Sequence, residues 1–152
     1  MSQGQYLKLI LANQPFLLPS PACYCTESRH RLLPPEQGHS GIVAWHHVQQ
    51  QRWPVVALST PDLPFTGTWS QVVFLNSQHH PVGLACEQLS EVADENALEV
   101  RPLGVIGSRI EGGPLISGLA MLEDSAIFIL DAQRLLARLL QSVRRFQKRE
   151  SS

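Results

Sequence analysis

Up to residue 130 this chain is a succession of short apolar runs, each cut off by proline, glycine or polar turn residues, and that pattern constrains its fold more than anything else in it. "YLKLILANQPFLLP" reads as a strand, a tight turn at Asn13-Gln14-Pro15, and a second short strand ending at Leu18-Pro19. Gly41–Trp45 and Trp53–Leu58 are the next strand candidates, with Pro54 expected at a strand start or an edge because it has no N–H to donate. Val72–Leu75 and Val82–Cys86 make a hairpin that turns through Asn76–Pro81. "ALEVRPL" is a further strand ending at Pro102, and "PLISGLAMLEDSAIFIL" is a last hairpin turning at Glu123-Asp124-Ser125. Between them, "SPACYCTES" opens with a helical turn, Ser20 as N-cap and Pro21 at the first helical position. "RHRLLPPEQGHS", "STPDLPFTGT" and the glycine-rich "GVIGSRIEGG" read as loops, and "EQLSEVADENA" as a short turn. Many short strands at even spacing predict an all-β fold of the small barrel or sandwich class.

Only the C-terminal end breaks the pattern. Asp131 is placed to cap a helix in which Leu135, Leu139, Val143 and Phe146 recur at helical spacing, with Leu136 and Leu140 beside them. One amphipathic helix results, and its apolar stripe is expected to pack on the chain's own β-structure. Charge divides at the same place. Residues 131–152 carry six basic and two acidic side chains, whereas the rest of the chain carries six basic and eleven acidic. The basic residues favour a helix C-terminus electrostatically, which accounts for them as a solvated helix end. The whole reads as a single domain, 1–152, with its core at about 6–140 and a basic helical tail at 131–152.

Composition then excludes function classes. A formal net charge of −1 makes the chain as a whole no electrostatic trap for nucleic acid or acidic membranes. No apolar run approaches the roughly 20 residues of a membrane span, and "MSQGQYLKLILANQ" lacks the basic start and long apolar core of a signal peptide. The cytoplasm is the expected location. Three cysteines, Cys23, Cys25 and Cys86, do not make a disulfide framework in such a chain. Cys23 and Cys25 are one residue apart rather than the two to four of a zinc knuckle.

The adjacent pairs His46-His47 and His79-His80 invite a metal or catalytic reading, yet neighbours in an extended strand point to opposite faces and cannot share one ion. His79-His80 falls in a hairpin turn, where exposed polar residues belong. There is no HExxH, no GxSxG and no phosphate-binding glycine motif. Cys86 or Cys25 could serve as a nucleophile only with a histidine base, and Cys86 sits in the apolar run "VGLACEQL". The acid pairs Asp94-Glu95 and Glu123-Asp124 lie in turns. The expectation is therefore no catalysis, no metal and no cofactor, in a β-domain that binds other proteins. The alternatives are a small metal-dependent enzyme using the His-rich loops, or a nucleic-acid-binding β-barrel, which the few basic residues in the strands disfavour.

The order of fragments "FLLPSPA", "GIVAWHH…WPVVALS", "VVFLNSQHHPVGLACEQLSEV" and "ISGLAMLEDSAIFILDAQRLL" resembles the CheW-like domain family from about Tyr6 to Leu140. The matching residues are Gly41, Pro54-Val55-Val56-Ala57-Leu58, Val82-Gly83-Leu84 with Glu87 and Glu91-Val92, Gly118, and Leu130-Asp131 with Leu135-Leu136. The resemblance implies two intertwined five-stranded SH3-like β-barrels with a hydrophobic seam and a C-terminal α-helix. It implies a non-catalytic adaptor in chemosensory signal transduction, whose partners are the regulatory domain of a CheA-type histidine kinase and the cytoplasmic tip of chemoreceptors. Such adaptors serve flagellar chemotaxis or pilus-driven motility, and the apolar "FLLP" is nearer to the twitching-type relatives. The departures are specific. His46 and His47 stand where the family has Arg-Gly, "VQQQR" adds two or three residues, Ala57 replaces an acid, and Cys25 stands where a glutamate is expected in the first helix turn. Loss of the arginine puts standard receptor coupling in doubt. Candidate partner-binding residues are Ile42, Val43, Trp45, His46, His47 and Val56, with Val43 and Trp45 expected on one strand face and Ile42 and Ala44 on the other.

Overall fold

A computed structural model describes residues 6–35, 41–60, 63–92, 99–102, 115–122 and 124–150. The loop expected at "GVIGSRIEGG", the Asp94-Glu95 turn, His39 and Glu123 lie outside them. Among the described residues, eleven strands and one long helix follow in the order β1 (Tyr6–Leu11), β2 (Gln14–Pro19), β3 (Cys23–Ser28), β4 (Ile42–Val48), β5 (Gln51–Val56), β6 (Gln71–Leu75), β7 (Val82–Cys86), β8 (Gln88–Glu91), β9 (Glu99–Pro102), β10 (Ile116–Leu122), β11 (Ser125–Leu130) and α1 (Ala132–Glu150).

They form two sheets. One has six strands in the order β8-β1-β2-β11-β10-β9, the other five in the order β3-β6-β7-β5-β4, and both orders are open. The expected mostly-β architecture of two units with a C-terminal helix is therefore present, one unit having six strands. The units interlock along the chain. The first hairpin enters the six-stranded sheet, β3 to β7 build the other, and the chain then returns to the first. Two parallel pairs seal the connectivity, β11 beside β2 through Phe128 and Phe16, and β5 beside β7 through Val55 and Gly83.

The alternation of side chains sorts the core into three clusters. Leu9, Leu11, Phe16 and Leu18 of one sheet meet Val73, Leu75, Val82 and Leu84 of the other in a shared seam, which Leu130, Leu135 and Leu139 close. The five-stranded sheet keeps a second cluster on its other face, with Trp53, Val55, Val72, Phe74 and Ala85. The six-stranded sheet keeps a third, with Leu17, Ala120, Ile127 and Ile129. Burial on both faces explains why "VVFL" and "VGLAC" are unbroken apolar runs rather than alternating ones.

The five-stranded sheet curls strongly. Rings on strands that are not neighbours touch across its second face: Tyr24 of β3 lies 5.5 Å from Trp53 of β5, and Phe74 of β6 lies 5.4 Å from Trp53. That face is concave. Gly83 of β7 lies beneath it, where a Cβ would come within 2.6 Å of Val72 and 2.9 Å of Phe74. After β3, Leu33 exchanges both backbone hydrogen bonds with Trp45, so this segment runs along the free edge of β4.

Four details depart from the sequence reading. Ser20–Ala22 does form a helical turn, but Pro19 rather than Ser20 precedes it, and no side chain caps it. "CYCTES", in a segment read only as opening with a helical turn, and "QLSE", in a segment read as a short turn, are strands, β3 and β8. Both lie at sheet edges and keep polar or half-exposed side chains, so backbone pairing holds them and little apolar signal marks them. The first turn is Ala12-Asn13, both at positive φ, with Gln14 and Pro15 already paired in β2. Pro54 sits inside β5 opposite Trp45 rather than at an edge, and the β7 ladder begins one residue later, at Val55.

Asp131 caps α1 as expected, its carboxylate accepting the backbone N–H of Arg134 at 3.0 Å. Leu135 and Leu139 are fully buried against the seam, so the helix packs on its own sheets. The apolar stripe is what holds it there, each fully buried leucine contributing about 1.5–3 kcal/mol.

Candidate interaction surface

The β4–β5 hairpin carries the six candidate binding residues. Its turn is only Gln49-Gln50, because Val48 pairs with Gln51 and Gln49 takes a positive φ of 57°. His46 and His47 therefore lie within β4, opposite Trp53 and Arg52, rather than in a loop. As adjacent strand residues they diverge: His47 is exposed, whereas His46 enters the concave face. There its ring lies 5.6 Å from that of Trp53 and 5.4 Å from that of Phe74. Its Nε2 lies 3.9 Å from the Glu27 carboxylate on β3, which also has Arg31 Nε at 3.7 Å.

A β-bulge between Ile42 and Ala44 breaks the expected alternation. Val43 is the extra residue. Ile42 and Trp45 belong to the shared seam, while Val43 and Ala44 pack with the concave cluster. The pairing of faces read from strict period two is thus corrected, because one inserted residue flips every side chain after it. In the isolated chain Ile42, Trp45 and Val56 keep only 4%, 7% and 1% of their surface. Val43 and His46 are half-buried and His47 is exposed, so among the six candidates the accessible surface lies on these three.

On the opposite side of the hairpin, a groove of about 490 Å³ runs between β4–β5, the β6–β7 turn and the second half of α1. Trp45 and Phe146 form part of its floor, edge to face at 5.5 Å. The Arg52 guanidinium stacks over Trp45 at 4.0 Å from the ring centre. The sequence pattern alone does not reveal this groove, since it assembles from three segments far apart in the chain.

Three ring N–H or nitrogen groups, Trp45 Nε1, Trp53 Nε1 and His46 Nδ1, are buried without a hydrogen-bond partner among the described residues. An unmet buried donor costs about 1–3 kcal/mol, so three around one hairpin mark it as unusual.

The remaining chemistry is plain. Burial pushes the Cys86 thiol from its ordinary 9.0 up to about 12, and a backbone hydrogen bond from Val73 offsets only part of this. Burial raises Cys23 and Cys25 too, with Cys25 adding to the effect at Cys23 and Glu27 to that at Cys25. A raised thiol is protonated at neutral pH and a poor nucleophile. No three His, Cys, Asp or Glu side chains converge as metal ligands among the described residues. No described helix is long and apolar enough to cross a membrane.

The residues that match the CheW-like pattern take structural posts. Gly41 precedes β4 at φ +84°, a conformation other residues rarely adopt. Glu87 ties the two sheets together: its N–H donates to Ile10 and its side chain accepts the N–H of Asn13 in the β1–β2 turn at 2.9 Å.

No protein-family model matches the chain, and no curated protein sequence matches it. Among solved structures it is similar to the scaffolding protein TtCheW from Thermoanaerobacter tengcongensis, with a TM-score of 0.63 over 86% of this chain and 90% of that one, at 18% identity. The likeness is one of fold.

Proposed function

We propose that this chain, built on the CheW-like fold, is a non-catalytic adaptor in chemosensory signal transduction. It couples a CheA-type histidine kinase, through the kinase's regulatory domain, to the cytoplasmic tip of chemoreceptors, in flagellar chemotaxis or pilus-type motility. The observation that carries this is the likeness of fold, along nearly the whole length of both chains, to a protein described as a scaffold. The raised thiols support the non-catalytic part. The adaptor works in the cytoplasm, where its partners present these domains. On the β4–β5 hairpin, Val43, His46 and His47 offer the contact surface, and Ile42, Trp45 and Val56 hold it in shape from the core.

The test is calorimetric titration of the full chain against the kinase regulatory domain and receptor tips of the same host. Saturable binding to at least one kinase is expected. A complete pairwise screen without binding would refute the adaptor reading. His46→Arg then probes the hairpin, since it restores the residue type that the resemblance places there. A gain of receptor binding is expected, and unchanged receptor binding removes the hairpin from the receptor contact.

A further inference from the structure

We infer that His46 and Glu27 form a proton-dependent clasp, which joins the two outer strands of the five-stranded sheet when the imidazole is charged and releases them when it is neutral. The sheet order leaves β3 and β4 at opposite edges, and no backbone ladder joins them among the described residues. Curvature nonetheless brings Glu27 of β3 and Nε2 of His46 on β4 to 3.9 Å. Side-chain chemistry holds the two edges at that point. The distance makes it depend on a proton. A hydrogen bond from a neutral ring needs an N···O separation of about 2.7–3.2 Å, whereas attraction between two charges reaches further. The contact therefore strengthens when His46 takes up a proton. The two side chains keep only 19% and 21% of their surface, so solvent screens the pair less than an exposed one. Arg31, in the helical turn after β3, also approaches Glu27, at 3.7 Å, but it is 70% exposed and so the weaker partner. Burial of a charged ring opposes protonation, and Glu27 is the group that offsets it. The other groups packed on His46 carry no charge. Trp53 of β5 and Phe74 of β6 are neutral rings, and Cys25 of β3 enters the same cluster as a protonated thiol. On β4 itself His47 points away, opposite Arg52, and Arg29 is engaged with Trp69.

Histidine ordinarily changes charge between about pH 5 and pH 8. Because the clasp favours the protonated form in the folded chain, its contribution is complete at the acid end of that range and is lost as pH rises through it. Proton concentration thereby sets how firmly the strand bearing Val43, His46 and His47 is held. The inference does not rest on the adaptor reading, since it concerns the sheet alone. The test is a double-mutant cycle in the full chain, with His46→Gln, Glu27→Gln and the pair unfolded in urea at about pH 5.5 and about pH 8.5. The coupling is expected to stabilise the fold at least fivefold in the unfolding equilibrium constant at the lower pH and to vanish at the higher. With His46→Arg, which carries a permanent charge, the coupling to Glu27 is expected to be equal at both. Smaller coupling at the lower pH, or equal coupling at both in the histidine chain, overturns the proposal. Nuclear magnetic resonance of the wild type supplies a readout that needs no variant. The Glu27 carboxylate carbon signal is expected to move together with the His46 ring signals as the imidazole titrates. A Glu27 signal that stays still through that titration overturns the clasp.

Discussion

The two faces of the five-stranded sheet both carry a buried apolar cluster but are completed in different ways. The concave face is closed by the sheet itself together with Leu32, Phe65 and Trp69 from the connections between its own strands. Curvature brings Tyr24, Trp53, Phe74 and His46 together from four strands, with Gly83 leaving room for Phe74. The other face is closed by elements from elsewhere in the chain, β1, β2 and the helix α1. Neighbouring residues fall on opposite sides of this division. Trp53 belongs to the self-closed face and Trp45 to the face covered by α1. The contrast teaches that one hairpin can present an autonomous aromatic wall on one side and a groove whose shape depends on a distant helix on the other.

The sharpest way to break the self-closed face is Phe74→Ala. It removes the ring that Trp53 and His46 share, and a loss of about 3–5 kcal/mol is expected in urea denaturation. The loss should spare the helix–seam contacts, so hydrogen exchange in α1 should change less than in β6 and β7. Gly83→Ala tests the same face by overpacking. A Cβ within 2.6 Å of Val72 is expected to cost about 1–3 kcal/mol, and a neutral result would mean the strands can spread at no cost.

Cys86 tests the helix-covered face through pH. The native thiol holds its proton up to about 12, whereas the unfolded thiol loses it near 9.0. The stability it contributes is therefore complete below pH 9.0 and declines as pH rises toward 12. The slope is about 1.4 kcal/mol per pH unit in that window. Urea denaturation of wild type and Cys86→Ala at several pH values should show the steeper alkaline decline only in the wild type. Parallel pH curves would refute the burial argument. The smallest effect is at the helix start: Asp131→Ala removes the cap of Arg134 and is expected to cost about 1 kcal/mol, fraying α1 and loosening the groove without touching the concave face. A shift of the Trp53 environment by near-UV circular dichroism in that variant would show the two faces to be coupled after all.

Much of the fold was legible. Hairpins β6–β7 and β10–β11, the capped helix and its buried stripe follow from apolar runs, turn residues and helical spacing. The edge strands β3 and β8 were not, because a half-exposed edge held by backbone pairing carries too few apolar side chains to register. The site was less legible still. His46 and His47 diverge as adjacent strand residues must, but the bulge at Val43 reassigned Ile42 and Trp45 to the seam.

By itself, then, the sequence determined local periods and where they stop: which residues alternate, where a turn is forced, where one helix begins. Those depend on steric and solvation effects within a few residues. The tertiary structure alone decided what each face meets. The parallel pairing of β2 with β11, the curl that brings Glu27 within 3.9 Å of His46, and the groove between Arg52, His80 and Arg144 join residues far apart in the chain. Such contacts form only when burying apolar surface outweighs the entropy of closing long loops, and no local pattern records that balance.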